Sequence, residues 1–196
     1  MHNWLQIWLG FINDPVGTFE REKKHSNYKD ALLHYAIAGL VIGVLFTIFS
    51  YSGNVPEGYD YLTAFNLPPV ANAILLALLR STLIAVFLYL FILLLDGRGA
   101  FVTHYYLLSL ASIPVSVIDF FLGFFTSIEG LIVRLAFSSF KLYLFAIALQ
   151  EAHELGEHES FLSWFIPLVL LLLGVIFVAQ FFSGGNALEF FEKYLV

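Results

Sequence analysis

FVTHYYLLSLASIPVSVIDFFLGFF (101–125), TSIEG (126–130) and LIVRLAFSSFKLYLFAIALQ (131–150) decide the fold. The two outer runs each reach the ~20 apolar residues that a helix needs to cross hydrocarbon. Residues 126–130 leave room only for a tight turn, so the runs read as adjacent, antiparallel transmembrane helices. On the first run Ser109, Ser112, Ser116, Asp119 and Gly123 recur at steps of three and four, which places small and polar residues on one helical face. On the second, Arg134, Ser138, Lys141 and Ala148 form a matching stripe.

These two faces are expected to meet. With a hairpin centred near Ser127 and a rise of ~1.5 Å per residue, Asp119 lies opposite Arg134 and Ser112 opposite Lys141. The same reckoning across residues 96–99 brings Arg80 to the depth of Ser116, so Asp119 is expected to pair with Arg134 and to be shared with Arg80. A charge at the bilayer centre costs from ~2.5 to over 10 kcal/mol and rarely stays unpaired. Two readings of Arg80, Ser112, Ser116, Asp119, Arg134 and Lys141 stay open. In one, the cluster is a structural ion pair, with Lys141 held by Ser112 and by the Leu110 carbonyl that Pro114 leaves without a donor. In the other, two surplus cations accept an anion, either a lipid phosphate or an anionic solute.

Outward from the hairpin lie GRGAF (97–101) and QEAHELGEHE (150–159). The first reads as a tight turn between two spans; it lacks the third glycine of a dinucleotide loop. In the second, Glu154 and His158 are spaced i, i+4, as are His153 and Glu157, and on an unbroken helix each pair could offer two ligands to a divalent metal. His34 and His104 belong to the same end of their spans. The pattern is not His-Glu-x-x-His and Gly156 is placed to break the helix, so the segment reads as an acidic loop with interfacial histidines. No metal or cofactor is expected, no catalytic residue is assigned, and no serine has a histidine and a carboxylate at its depth.

The rest of the chain agrees with a membrane protein. Of 196 residues, 60% are hydrophobic and 12% charged, and the mean hydropathy is +0.85; soluble domains are about twice as rich in charge. The net charge of -6 comes without a basic patch, which excludes nucleic-acid binding. The absence of cysteine excludes disulfides, thiolate nucleophiles and cysteine-ligated metals. Met1 to Phe11 lacks a basic n-region and a cleavage signal, so the first transmembrane helix is expected to direct targeting.

In chain order, residues 3–13 place Asn3, Gln6, Gly10 and Asn13 on one stripe with Trp4 and Trp8 elsewhere, predicting a short helix in the interface plane. Asp14-Pro15 predicts a cap and first turn of a charged helix through about Lys24, and Ser26 is placed to cap the next. The first span is read over residues 31–50, with Gly39 and Gly43 allowing close helix contact. Residues 68–95 are apolar except for Arg80, longer than a straight span needs, and predict a tilted, kinked or partly interfacial helix. Spans three and four are the hairpin, and a fifth is read over residues 161–182. The amino-terminal side receives Arg21, Lys23, Lys24, Lys29 and Arg98 against Lys193 alone on the other, which predicts a cytoplasmic amino terminus.

Asp14-Pro15 with Thr18-Phe19, Gly97-Arg98-Gly99-Ala100-Phe101, Ala111-Ser112-Ile113-Pro114 and Leu149-Gln150-Glu151-Ala152-His153 occur in the order that resembles the Yip1 domain family of five-span membrane proteins, over roughly residues 12–180. The chain looks closest to short prokaryotic members. Eukaryotic relatives are tied to vesicle traffic and bind prenylated Rab-type GTPases through a long cytoplasmic amino-terminal segment and an Asp-Leu-Tyr-Gly-Pro-type motif. Neither occurs here, so the resemblance implies topology and not GTPase binding.

The expectation is an all-α, polytopic integral membrane protein of the cell membrane. It has a cytoplasmic charged segment (1–30), a five-helix Yip1-like transmembrane domain (31–183) and an interfacial tail (184–196), with interfacial amphipathic helices at both termini. It is expected to act without catalysis, by binding partners or organising the bilayer, with the bilayer, an anionic lipid, a membrane protein or its own copies as partners. The alternative is a small anion or lipid carrier built on the intramembrane Arg/Lys/Asp cluster.

Overall fold

The computed structural model describes residues 4–63 and 66–182. Its regular structure is helical: α1 (Trp4–Asn13), α2 (Pro15–Glu22), α3 (Tyr28–Tyr51), α4 (Pro69–Leu94), α5 (Phe101–Leu110), α6 (Ser112–Leu122), α7 (Ile128–His153) and α8 (Glu157–Phe182). Short 3-10 turns lie at Lys23–His25 and Asp60–Thr63. α3, α4 and α7 are long and apolar enough to cross a membrane, and α5 with α6 adds a fourth candidate if the pair is one bent span. The described residues are thus all-helical, with three to four candidate membrane spans. The interfacial helix expected over residues 184–196 lies outside the described residues.

Helix starts follow local chemistry. Asp14 caps α2 by accepting from the Gly17 amide at 3.0 Å, with Pro15 in the first turn. α3 is capped by Asn27, which accepts from the Asp30 amide at 2.8 Å. Ser26, the expected cap, instead donates to the Lys23 carbonyl and meets the Thr103 hydroxyl at 3.2 Å. Ser127 accepts from the Gly130 amide and opens α7.

α4 runs as one helix of 26 residues, about 39 Å at 1.5 Å per residue, longer than the ~30 Å hydrocarbon core. The third span does break. Pro114 has no amide to give the Leu110 carbonyl. The Ser109 and Ser112 hydroxyls bond the carbonyls of Tyr106 and Ser109, which offers the backbone further alternatives to a straight helix. α5 and α6 therefore meet at Ala111 with a bend of 42°.

α3 and α4 approach through Gly39 and Gly43, where an added Cβ would lie 2.6 Å from the Ile74 Cα and 2.5 Å from the Val70 Cα. Backbone cannot yield as a side chain does, so these glycines set the helix separation. Large apolar residues such as Leu83, Ile132 and Leu135 face outward, as a lipid-facing surface requires. Packing inside then rests on shape and polar bonds, because lipid is as apolar as leucine.

α1 does not simply float on this surface. Ile7 and Phe11 are buried, with Phe11 edge-on to Phe19 at 5.4 Å, and the rings of Trp4 and Trp8 meet His34 at 5.7 and 6.2 Å. Tyr106 donates to Glu22 at 2.9 Å and Lys23 bonds Glu154 at 3.2 Å, tying α2 and the turn after it to the same end. The opposite end is closed by the loop after α3. There Asn72, fully buried, donates to the carbonyls of Leu62 and Leu67, and the Glu57 amide donates to the Gly123 carbonyl. The buried core falls into two clusters, one around Tyr105, Tyr106, Leu107 and Leu149, the other around Phe46, Leu62 and Phe120. A chamber lies where they meet, beside the α5/α6 bend.

Candidate functional site

The chamber has a volume of about 420 Å³, within the range of small-molecule sites. Away from the loop its walls are apolar, with Tyr35, Leu108, Val115, Leu142 and Phe145. It shares Tyr59, Tyr61, Arg80 and Asp119 with a second, polar cavity of about 240 Å³ at the loop end, to which Glu57 and Arg134 also contribute. Of the predicted cluster, Arg80, Ser112, Ser116, Asp119 and Lys141 line the main chamber and Arg134 the mouth.

The pairing inside the cluster differs from the expected one. Asp119 binds Lys141, whose Nζ lies 3.0 and 2.8 Å from the two carboxylate oxygens. Arg134, the expected partner, donates from Nη1 to Glu57 at 2.8 Å, and from Nε and Nη2 to the carbonyls of Leu122 and Gly123 at 3.0 Å each. The reason is the direction of side chains. A Cα–Cβ bond tilts toward the amino end of its own helix, and α6 and α7 are antiparallel. Asp119 and Lys141, offset along the helices, therefore reach toward each other, whereas Asp119 and Arg134, level in backbone depth, reach apart. Arg134 instead arrives at the carboxyl end of α6, where unpaired carbonyls favour a cation. Lys141 does not use Ser112 or the Leu110 carbonyl; the Ser112 hydroxyl donates to Ser109. Lys141 Nζ also lies 5.5 Å above the Phe137 ring.

The surplus cation is consequently Arg80. Among the described residues it makes no ion pair or hydrogen bond, it is exposed, and it belongs to both the chamber and the mouth. Tyr59 and Tyr61, in the loop before α4, line both cavities with it. Burial raises both phenols above the ordinary value, with Tyr61 and then Asp119 adding to the rise at Tyr59, while Arg80 opposes it at both. Both therefore keep their protons and can donate to an anion beside the guanidinium.

A second buried polar group sits at the other end. His104 Nε2 lies 2.9 Å from the Ala85 carbonyl, its Nδ1 lies 3.0 Å from His153 Nε2, and the Gly99 amide donates to His153 Nδ1 at 3.2 Å. The network admits one assignment of protons: His104 donates to Ala85 and accepts from His153, which accepts from Gly99. Both rings are neutral and every ring nitrogen is used. Tyr89 packs on both rings at 5.7 and 5.6 Å. Gly99 is obligatory, because a Cβ there would overlap the Ala152 carbonyl. Nearby, His34 Nδ1 meets the Ser109 hydroxyl at 3.1 Å.

This arrangement separates the 150–159 residues. α7 ends at His153, and Glu154 turns into the left-handed region at φ 56°. His153 points inward to His104 while Glu154 reaches out to Lys23, so helical i, i+4 geometry does not connect His153 with Glu157 or Glu154 with His158. Among the described residues no three His, Cys, Asp or Glu side chains converge as metal ligands.

The sequence reading did not single out Glu57, Tyr59 and Tyr61, which lie in a loop without periodicity. The available signal was Glu57, an acid between Pro56 and Gly58 at the opposite end of α3 from Arg21, Lys23, Lys24 and Lys29. Compared with known proteins, residues 9–179 match the Yip1 domain model, and no curated protein or solved structure matches. That match covers α2 to α7 in full, most of α8 and both polar groups, and the chain belongs to the Yip1 domain family.

Proposed function

We propose that this Yip1-type membrane protein acts without catalysis, as a membrane-organising protein that holds an oxyanion in the chamber at Arg80. The observation that carries this reading is a cation with no described partner at the joint of an apolar chamber and a polar mouth. The carrier reading needs a path to both faces. Against it, Tyr105, Tyr106 and Leu107 fill the core beyond the bend at 3% exposure or less, so binding is favoured over passage.

In this proposal α8 is the fifth span, residues 31–183 form the membrane domain between segments 1–30 and 184–196, the amino terminus is cytoplasmic, and the carboxyl terminus and chamber mouth face the other side of the cell membrane. The bilayer surrounds the bundle, and a membrane protein or a second copy is the macromolecular partner. Titration of the purified chain with inorganic phosphate and with dihexanoyl-phosphatidylglycerol, followed by thermal stability, tests the site. Arg80→Gln should weaken at least one of the two by about 10-fold or more, as loss of a charge-assisted hydrogen bond does; unchanged binding of both would refute it. Orientation can be read separately, because the chain has no cysteine. An impermeant maleimide should label Asn54→Cys in intact cells and Glu20→Cys only after permeabilisation.

A further inference from the structure

From the chamber's charge and shape we infer that its occupant is a membrane phospholipid with a singly charged phosphodiester headgroup, bound with its phosphate at Arg80 and an acyl chain in the apolar limb. The inference rests on the proposed oxyanion site and names what fills it.

Charge comes first. The chamber and mouth hold three cations, Arg80, Arg134 and Lys141, and two carboxylates, Glu57 and Asp119. Each carboxylate already has its cation, at 2.8 Å in both cases. One positive charge is left, and one phosphodiester charge neutralises it without opening either pair. The Tyr59 and Tyr61 hydroxyls supply neutral donors for the remaining phosphate oxygens.

Shape separates a lipid from a free anion. Inorganic phosphate would occupy the polar mouth and leave the limb between Leu108, Val115, Leu142 and Phe145 without a use. Such an apolar limb does not hold water well, whereas an acyl chain fills it with matching apolar surface. The site also meets the lipid-facing surface. Arg80 is exposed, and Leu79 and Leu83 on the same helix are 53% and 61% exposed, so a headgroup at Arg80 stays continuous with the bilayer. A charge-assisted phosphate contact at a guanidinium is planar and directional in a way that an ammonium is not.

The experiment uses the full chain in neutral detergent, with three water-soluble probes: inorganic phosphate, dihexanoyl-phosphatidylcholine and dihexanoyl-phosphatidylglycerol. Phosphatidylglycerol should bind at least about 10-fold more tightly than either other probe, and Arg80→Gln should remove that advantage. Val115→Phe, which narrows the limb, should weaken phosphatidylglycerol and leave phosphate as it was. Leu142→Phe gives the same test if Val115→Phe does not elute as a single folded species. If phosphate binds as tightly as phosphatidylglycerol, or if narrowing the limb changes nothing, while Arg80→Gln still weakens binding, the lipid inference is overturned and the oxyanion site stands. If no probe depends on Arg80, both are overturned. Equal binding of phosphatidylcholine and phosphatidylglycerol would also overturn the lipid inference, because charge would then not select the headgroup.

Discussion

The histidine network and the chamber both place polar groups inside an apolar bundle, yet they are built in opposite ways. In the first, Ala85, His104, His153 and Gly99 match donor to acceptor along a chain that closes at both ends on backbone. Nothing is left for a ligand, and no room is left either, since Gly99 already touches the Ala152 backbone. In the second, carboxylates and cations pair two by two and one guanidinium remains beside open space. A satisfied polar network rigidifies a core, whereas an unsatisfied charge next to a cavity creates a demand for something from outside. The difference separates structural polarity from binding polarity within a single small bundle.

The largest expected effect tests the closed side. His104→Ala strands the Ala85 carbonyl and the His153 Nε2 proton, and should cost about 3 kcal/mol of stability in bicelle unfolding. Binding of dihexanoyl-phosphatidylglycerol by the remaining folded protein should be unchanged; a parallel loss of affinity would mean that the two regions are coupled. Next comes Asp119→Asn, which leaves Lys141 half-buried without its carboxylate. A loss of about 2 kcal/mol is expected, together with tighter phosphate binding because a second cation is freed. Equal stability would show that the pair is replaceable by solvent.

Arg134→Met removes three hydrogen bonds, but its ion pair is with a largely exposed Glu57. About 1 kcal/mol should be lost, mostly through the α6 carbonyls. The smallest effect on stability belongs to Arg80→Gln, within about 0.5 kcal/mol of the parent, although it should have the largest effect on anion binding. If Arg80→Gln were instead strongly destabilising, Arg80 would be a structural residue and the contrast between the two regions would collapse.

Much of this was legible in residue order. The capping pair Asp14-Pro15, the close-packing Gly39 and Gly43, the single long helix from Pro69 to Leu94 and the polar faces of residues 109–123 and 134–148 are local properties. They depend on which residue types recur at helical spacing. The membership of Arg80, Ser112, Ser116, Asp119, Arg134 and Lys141 in one region was likewise readable, because apolar surroundings make every charge conspicuous.

What required the tertiary structure was the assignment of partners. Counting residues from a turn gives backbone depth, but Lys141 reaches Asp119 because side chains on antiparallel helices lean in opposite directions. The 42° bend at Ala111 further breaks the straight-helix reckoning. Glu57, Tyr59 and Tyr61 reach the mouth only because the loop is pinned through Asn72 and the Gly123 carbonyl, which are contacts between distant parts of the chain. His153, within the acidic run that suggested a surface cluster, turns inward to His104 for the same reason. Composition and periodicity determine that the helices form and which faces are polar; only packing decides which charge each carboxylate meets and which cation is left over.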